Sequence, residues 1–74
     1  MTLEIEYEEG STHVLSPLSF DFLNGSKTGL LHLPKPFKDL ECSDVERRVT
    51  DHGTVYSGTV VGVKDPKAKF FLYL

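Results

Sequence analysis

Residues 2–8 of the chain read Thr-Leu-Glu-Ile-Glu-Tyr-Glu, so apolar residues alternate with three glutamates. Residues two apart share one face of a β-strand, whereas a helix would spread the glutamates around its circumference. The alternation predicts a strand with one apolar and one acidic face. Turn-forming residues 9–12 and a short apolar return segment, residues 13–15, follow it, so we expect residues 2–15 to form a hairpin.

The composition extends the strand prediction to the whole chain. Its 74 residues include one alanine and no glutamine, while six glycines and four prolines separate short segments rich in β-branched and aromatic residues. Such segments are typical of strands rather than helices. A chain this short has room for one domain. We therefore predict a mainly β fold, a small twisted antiparallel sheet or open barrel of five to six strands, over residues 1–74.

Turn signals place the later strands. Residues 18–23 alternate again, and Asn24-Gly25 is a strong signal for a tight hairpin turn. The partner strand is then residues 30–33, which the prolines at 34 and 36 end.

Two glycines interrupt the strand predicted at residues 54–63. Gly58 and Gly62 interrupt its β-branched and aromatic residues, a pattern that indicates bulges or sharp coiling, the means by which a small sheet bends. Residues 65–67, Asp-Pro-Lys, are predicted to form the turn before the last strand.

One stretch, residues 43–51, fits two structures. Ser43-x-x-Glu46 has the spacing of a helix capping box and predicts one short helix. The alternative is a strand that ends in a hairpin loop with Gly53 in the left-handed conformation. The strand is favoured slightly, because the apolar stripe of the helix would be thin.

The last strand, from residue 68 onward, has apolar residues on both faces, and both faces must be covered. It is therefore either a central strand of the sheet or an edge that pairs with another molecule. The second alternative predicts a homo-oligomer formed through a sheet edge made of Phe70, Phe71, Leu72, Tyr73 and Leu74.

The residue types that support chemistry are scattered. Cys42 and His52 lie in no known nucleophile signature, and the four soft metal ligands, His13, His32, Cys42 and His52, lack the short local spacings of a metal site. We therefore expect no enzyme activity, no metal and no cofactor. The single cysteine excludes an internal disulfide and predicts a reducing, cytoplasmic location. No apolar run is long enough for a membrane span, and no signal peptide is expected.

The charge pattern carries the functional prediction. The chain has a net charge of −3, and its first nine residues hold four glutamates: Glu4, Glu6, Glu8 and Glu9. A row of like charges attracts a basic partner, although it also fits a solvated outer face that protects a strand from aggregation. We expect a small non-catalytic protein–protein interaction module, an adaptor or inhibitor, whose acidic strand face occupies a basic groove of a partner. In its finer form, the prediction is a groove that handles nucleic acid.

The alternative function is direct nucleic-acid binding by a small SH3-like or OB-like barrel. Basic residues beside an exposed aromatic ring bind single strands through phosphate contacts and base stacking. The candidates are Lys35, Phe37, Lys38, Arg47 and Arg48. Acidic residues are interleaved with them, which makes this the weaker prediction.

Overall fold

The computed structural model describes residues 1–22, 27–63 and 67–74, and these residues form strands and no helix. The seven strands are β1 (Thr2–Glu6), β2 (Thr12–Leu15), β3 (Ser19–Phe22), β4 (Gly29–His32), β5 (Leu40–Thr50), β6 (Gly53–Val61) and β7 (Lys69–Tyr73). They make one antiparallel sheet in the order β2-β1-β7-β6-β5-β4-β3. The predicted mainly β open barrel is confirmed as a curled half-barrel, with more strands than expected.

The sheet is curled because its two edge strands are neighbours in the chain. β2 and β3 are separated by residues 16–18 alone. A flat sheet would hold them six strand spacings apart, about 29 Å, whereas the chain from Leu15 to Ser19 spans at most about 14 Å. Six successive antiparallel pairings also make β2 and β3 point the same way. They are two halves of one extended segment, bent around the buried Pro17.

The inner face of the curl is the hydrophobic core. Register partners on this face bring apolar side chains from successive strands together: Leu3 lies opposite Leu72, and Ile5 lies opposite Phe70. Cys42 lies opposite Val60 in the same way. The buried residues of the core are Leu3, Ile5, Leu31, Leu33, Cys42, Val60, Ala68, Phe70 and Leu72.

Aromatic rings fill the space between the two halves of the curl. Phe20 and Phe22 of β3 pack against Tyr56 of β6, with ring centroids 5.3 and 5.0 Å away. Phe22 also contacts Phe70 of β7, at 5.9 Å. Because β3 and β6 are not neighbours in the sheet, these contacts cross the interior. Each such pair adds about 0.5–1.5 kcal/mol to the burial of its surface.

Residues 43–50 are strand, which confirms the favoured alternative for this stretch, and the short helix considered over residues 43–51 is wrong. They belong to β5, which forms a long hairpin with β6 whose tip follows Thr50. Gly53 has a φ of 127°, as the loop prediction required. Pairing with β6 satisfies the backbone of this stretch, whereas an isolated helix of this length would lack a broad apolar face to stabilise it.

The predicted bulge at Gly58 is confirmed. The β5–β6 register shifts between Ser43 and Glu46, which places two residues of β5 opposite Gly58, and one of them, Asp44, has a φ of 52°. A Cβ atom at Gly58 would lie 2.6 Å from the Ser43 carbonyl oxygen and 2.9 Å from the Phe70 ring. Because Gly58 has no side chain, both the β5 bulge and the Phe70 ring can pack against its Cα atom.

β7 is a central strand, so the first of its two predicted alternatives is confirmed and its placement as a sheet edge is wrong. It pairs with β1 on one side and with β6 on the other. Its backbone therefore offers no open ladder to a second copy of the chain. The set Phe70, Phe71, Leu72, Tyr73 and Leu74 instead divides between the two faces, with Phe70 and Leu72 fully buried inside.

Two predicted turns lie outside the described residues. Asn24-Gly25 belongs to residues 23–26, and most of the Asp65-Pro66-Lys67 turn belongs to residues 64–66, neither of which is described. The strands on both sides of the first turn pair as predicted, since β3 is antiparallel to β4.

We expect Gly58→Ala to lower the free energy of unfolding by about 2–3 kcal/mol, because the added methyl group meets backbone oxygen and a packed ring. Gly10→Ala is the control: nothing lies within 4 Å of its Cβ position, and its positive φ alone costs about 1 kcal/mol. Urea denaturation of both variants measures the difference. Equal losses would show that the bulge tolerates a side chain.

Candidate functional site

The outer face of β2, β1 and β7 mixes acidic and apolar side chains. On this face Glu4 stands between Val14 of β2 and Phe71 of β7, its two register partners. Glu6, two residues along the same strand, stands opposite Lys69. Val14 is 63% exposed. We call the outward residues Glu4, Glu6, Val14, Phe71 and Tyr73 the acidic face.

Tyr73 joins the acidic face beside Glu4. Its side chain is 39% exposed, and desolvation together with the charges of Glu4 and Glu6 raises the pKa of its hydroxyl. A hydrogen bond with the Glu4 carboxylate contributes to the same shift. The phenol hydroxyl therefore holds a donor next to a carboxylate. Partly exposed tyrosines of this kind are enriched in protein interfaces.

The predicted row of four glutamates is shorter in the structure. β1 ends at Glu6, so Glu8 and Glu9 lie in the turn that follows. Glu8 forms an ion pair with Lys67, with 3.3 Å between carboxylate oxygen and ammonium nitrogen. Glu9 accepts a hydrogen bond of 2.7 Å from the Ser11 hydroxyl. Among the four predicted residues, Glu4 and Glu6 are the pair that shares one strand face.

The open depression beside this turn is balanced in charge. Its volume is about 330 Å³, and it is lined by Glu6, Tyr7, Glu8, Gly10, Lys67 and Lys69. Two carboxylates and two ammonium groups compensate each other there, so the depression does not select a charged ligand by charge alone.

The basic residues of the alternative function do not form one patch. Lys35, Phe37 and Lys38 lie in the connection between β4 and β5, where Phe37 is 53% exposed. Arg47 and Arg48 lie near the far end of β5, about 20 Å or more along the strand. As consecutive strand residues they point to opposite faces. The set divides into a small loop cluster and two separate arginines.

The four side chains that were considered as metal ligands are dispersed in the same way. His13 is on an edge strand, His32 on β4, Cys42 inside the core and His52 at the hairpin tip. Within residues 1–22, 27–63 and 67–74, no three His, Cys, Asp or Glu side chains are placed to hold a metal ion. Cys42 and His52 stand at different ends of β5, so they do not form the nucleophile pair that was considered.

The Cys42 thiol has low reactivity because it is buried. Desolvation raises the pKa of Cys42 to about 12, and the side chain is 2% exposed. The thiolate, the reactive form, is therefore scarce at neutral pH.

We expect Cys42 in the folded protein to react with a thiol reagent at pH 8 at least about 10³-fold more slowly than in the urea-unfolded chain. The unfolded thiol has the ordinary pKa and is accessible, whereas the folded one has neither property. Colour release from a disulfide reagent with and without urea measures the ratio. Similar rates in both states would contradict the buried placement of Cys42.

One side-chain pair fixes the connection between β4 and β5, and the sequence analysis missed it. His32 Nδ1 lies 2.9 Å from one carboxylate oxygen of Asp39, and the other oxygen accepts the Leu33 amide at 3.3 Å. These two hydrogen bonds, His32 first, lower the pKa of Asp39. The spacing of seven residues has no periodicity that would indicate the pair in a sequence.

We expect this pair to make the fold sensitive to acid. The pKa of Asp39 is lowered by folding, so its contribution to stability is present above its ordinary pKa of 3.8 and is lost as the pH falls through the lowered value. Urea unfolding of the wild type and Asp39→Asn at a series of acidic pH values measures this. The variant is expected to lose less stability on acidification. Parallel curves would contradict the assignment.

The sequence analysis also missed the apolar half of the acidic face. Val14 and Tyr73 are 59 positions apart, and only the register of β2, β1 and β7 brings them to the same face of the sheet as Glu4. The alternation in residues 2–8 identified the acidic half, but no local pattern predicts which strands flank it.

No family model, no curated protein and no solved structure matches this chain. No membrane-crossing helix occurs among the described residues.

Proposed function

We propose that the chain is a small non-catalytic protein–protein interaction module, an adaptor or inhibitor, that binds a basic surface of a partner protein through the acidic face. The observation that carries the proposal is the placement of Glu4 between the exposed Val14 and Phe71, with Tyr73 alongside. Carboxylates attract and orient a basic partner, and the neighbouring apolar and aromatic groups supply surface for burial.

The rest of the described surface supports binding by a face rather than by a pocket. The depressions lined by described residues are open to solvent, whereas small-molecule sites enclose most of their ligand. The acidic face lies on three adjacent strands whose backbone is held by pairing, so it is presented without a large ordering cost on binding. In its finer form the partner surface is a groove that handles nucleic acid, in a reducing, cytoplasmic compartment that suits the free Cys42 thiol.

The test is charge reversal with a matched control. Glu4→Lys with Glu6→Lys reverses the acidic face, and Asp21→Lys with Glu41→Lys makes the same change in net charge on the outer face of β3 and β5. Each variant and the wild type is used to capture proteins from the native host, and the captured partner is then purified for titration.

We expect the first variant to bind the partner about 10–100-fold more weakly and the control to bind like the wild type. Wild-type binding is expected to weaken with added salt, and the reversed variant is expected to lose that dependence. Equal binding by both variants would contradict the acidic face as the binding surface.

A different pair of substitutions tests the alternative function. Lys35, Phe37 and Lys38 offer an exposed ring between two cations, which is the one described feature that favours nucleic-acid binding. An oligonucleotide that binds at low salt, and is released by Phe37→Ala with Lys38→Ala, would favour that function instead.

A further inference from the structure

β2 is an edge strand that carries little of the protection usual at sheet edges. It pairs with β1 on one side, and no described strand pairs with its other side. Its residues, Thr-His-Val-Leu, include no lysine, carboxylate or proline, and its register with β1 contains no bulge. Charges, prolines and bulges are the features that normally prevent an edge from accepting another strand. Three of its four residues are exposed.

The other edge of the sheet is different. β3 carries the charged Asp21, and its two rings pack into the interior against Tyr56. The two edges are therefore not equivalent, and β2 is the one whose exposed side chains leave it open.

The neighbour of β2 determines what kind of strand fits there. Thr12 lies opposite Glu6, and Val14 lies opposite Glu4. A strand added beside β2 would stand two strand spacings from β1, about 10 Å. The outward side chains of the added strand would extend over Val14 and Thr12 to reach Glu4 and Glu6. Lysine and arginine combine an apolar stem, which packs on Val14, with a charged end, which meets a carboxylate.

We propose that β2 accepts an extended basic segment of the partner protein as an eighth strand, with lysine or arginine at alternate positions directed toward Glu4 and Glu6. The inference rests on the proposed function and adds the conformation and the residue pattern of the bound segment. Main-chain hydrogen bonds to β2 hold the segment, and the alternate basic side chains select it, as is general for recognition by strand addition.

The probe is a synthetic peptide of roughly eight residues in which lysines alternate with valine and threonine. Its first control is an isomer of the same composition with the lysines contiguous. In two further peptides alternate backbone amides are N-methylated. One peptide is methylated at the odd-numbered amides and the other at the even-numbered amides. Titration into ¹⁵N-labelled protein is followed by the backbone amide signals, and the full chain is used throughout.

We expect the alternating peptide to shift the amide signals of Thr12–Leu15 and to bind at least about 10-fold more tightly than its isomer. One N-methylated register is expected to lose binding and the other to retain it, because alternate amides of a strand point to opposite edges. Glu4→Lys with Glu6→Lys is expected to weaken binding about 10-fold, whereas Asp21→Lys with Glu41→Lys leaves it unchanged.

Failure of this inference is distinct from failure of the proposed function. Binding that both N-methylated peptides retain, or that the isomer matches, would overturn strand addition and leave the acidic face intact. Binding with the alternating sensitivity that survives Glu4 and Glu6 reversal would support strand addition and overturn the acidic mechanism. Absence of peptide binding would overturn the proposal. Shifts of the Thr12–Leu15 signals that depend on protein concentration without peptide would also overturn it, because they would show that β2 pairs with a second copy of the chain.

Discussion

The short connection between the two edge strands is the constraint on which the structure depends. β2 and β3 are joined by residues 16–18, yet the sheet order places five strands between them. The covalent link therefore forces the sheet to curl, because it keeps Leu15 at the end of β2 within about 14 Å of Ser19 at the start of β3. Curling gives the sheet an inside, where Phe70 and Leu72 are fully buried, without any second layer of helices. A chain of 74 residues has little surface to bury, and this arrangement uses one sheet as both walls of the core.

The same curl determines which groups are left for function. The inner face is filled by aliphatic side chains and by the rings of Phe20, Phe22 and Tyr56, so the interior is a packed core rather than a binding cavity. Polar and charged side chains are directed outward, where the register of neighbouring strands groups them. Glu4 and Tyr73 come from the two ends of the chain and meet because β1 and β7 pair.

Local sequence patterns predicted the strands, but they did not predict which distant strands pair with each other. The alternation in residues 2–8 predicted β1 and its hairpin with β2, and Gly58 predicted a bulge, because backbone sterics act over a few residues. The last strand had apolar residues on both faces, which left central and edge positions open; pairing with β1, almost the whole chain away, decides it. The helix signal in residues 43–51 was overridden by the β6 partner, whose strand pairing no capping motif reveals.

The candidate site follows the same division. Glu4 and Glu6 were predicted from their spacing, whereas Val14, Phe71 and Tyr73 entered through strand register. Glu8 does not belong to the predicted row, because β1 ends at Glu6 and Glu8 forms an ion pair with Lys67. The basic set was predicted as one group because Lys38 and Arg47 are close in sequence. A strand between them extends about 3.3 Å per residue and separates them.

The central position of β7 has a consequence for how the protein is made. During synthesis the β1–β2 hairpin leaves the ribosome before the other described strands, and two-stranded hairpins alone are marginally stable in water. The other described neighbour of β1 in the sheet, β7, is synthesised more than fifty residues after the hairpin. The core therefore closes in one late, long-range event, which slows folding. Until then the hairpin lacks its β7 partner, and exposed apolar surface of this kind makes folding intermediates in general prone to aggregation.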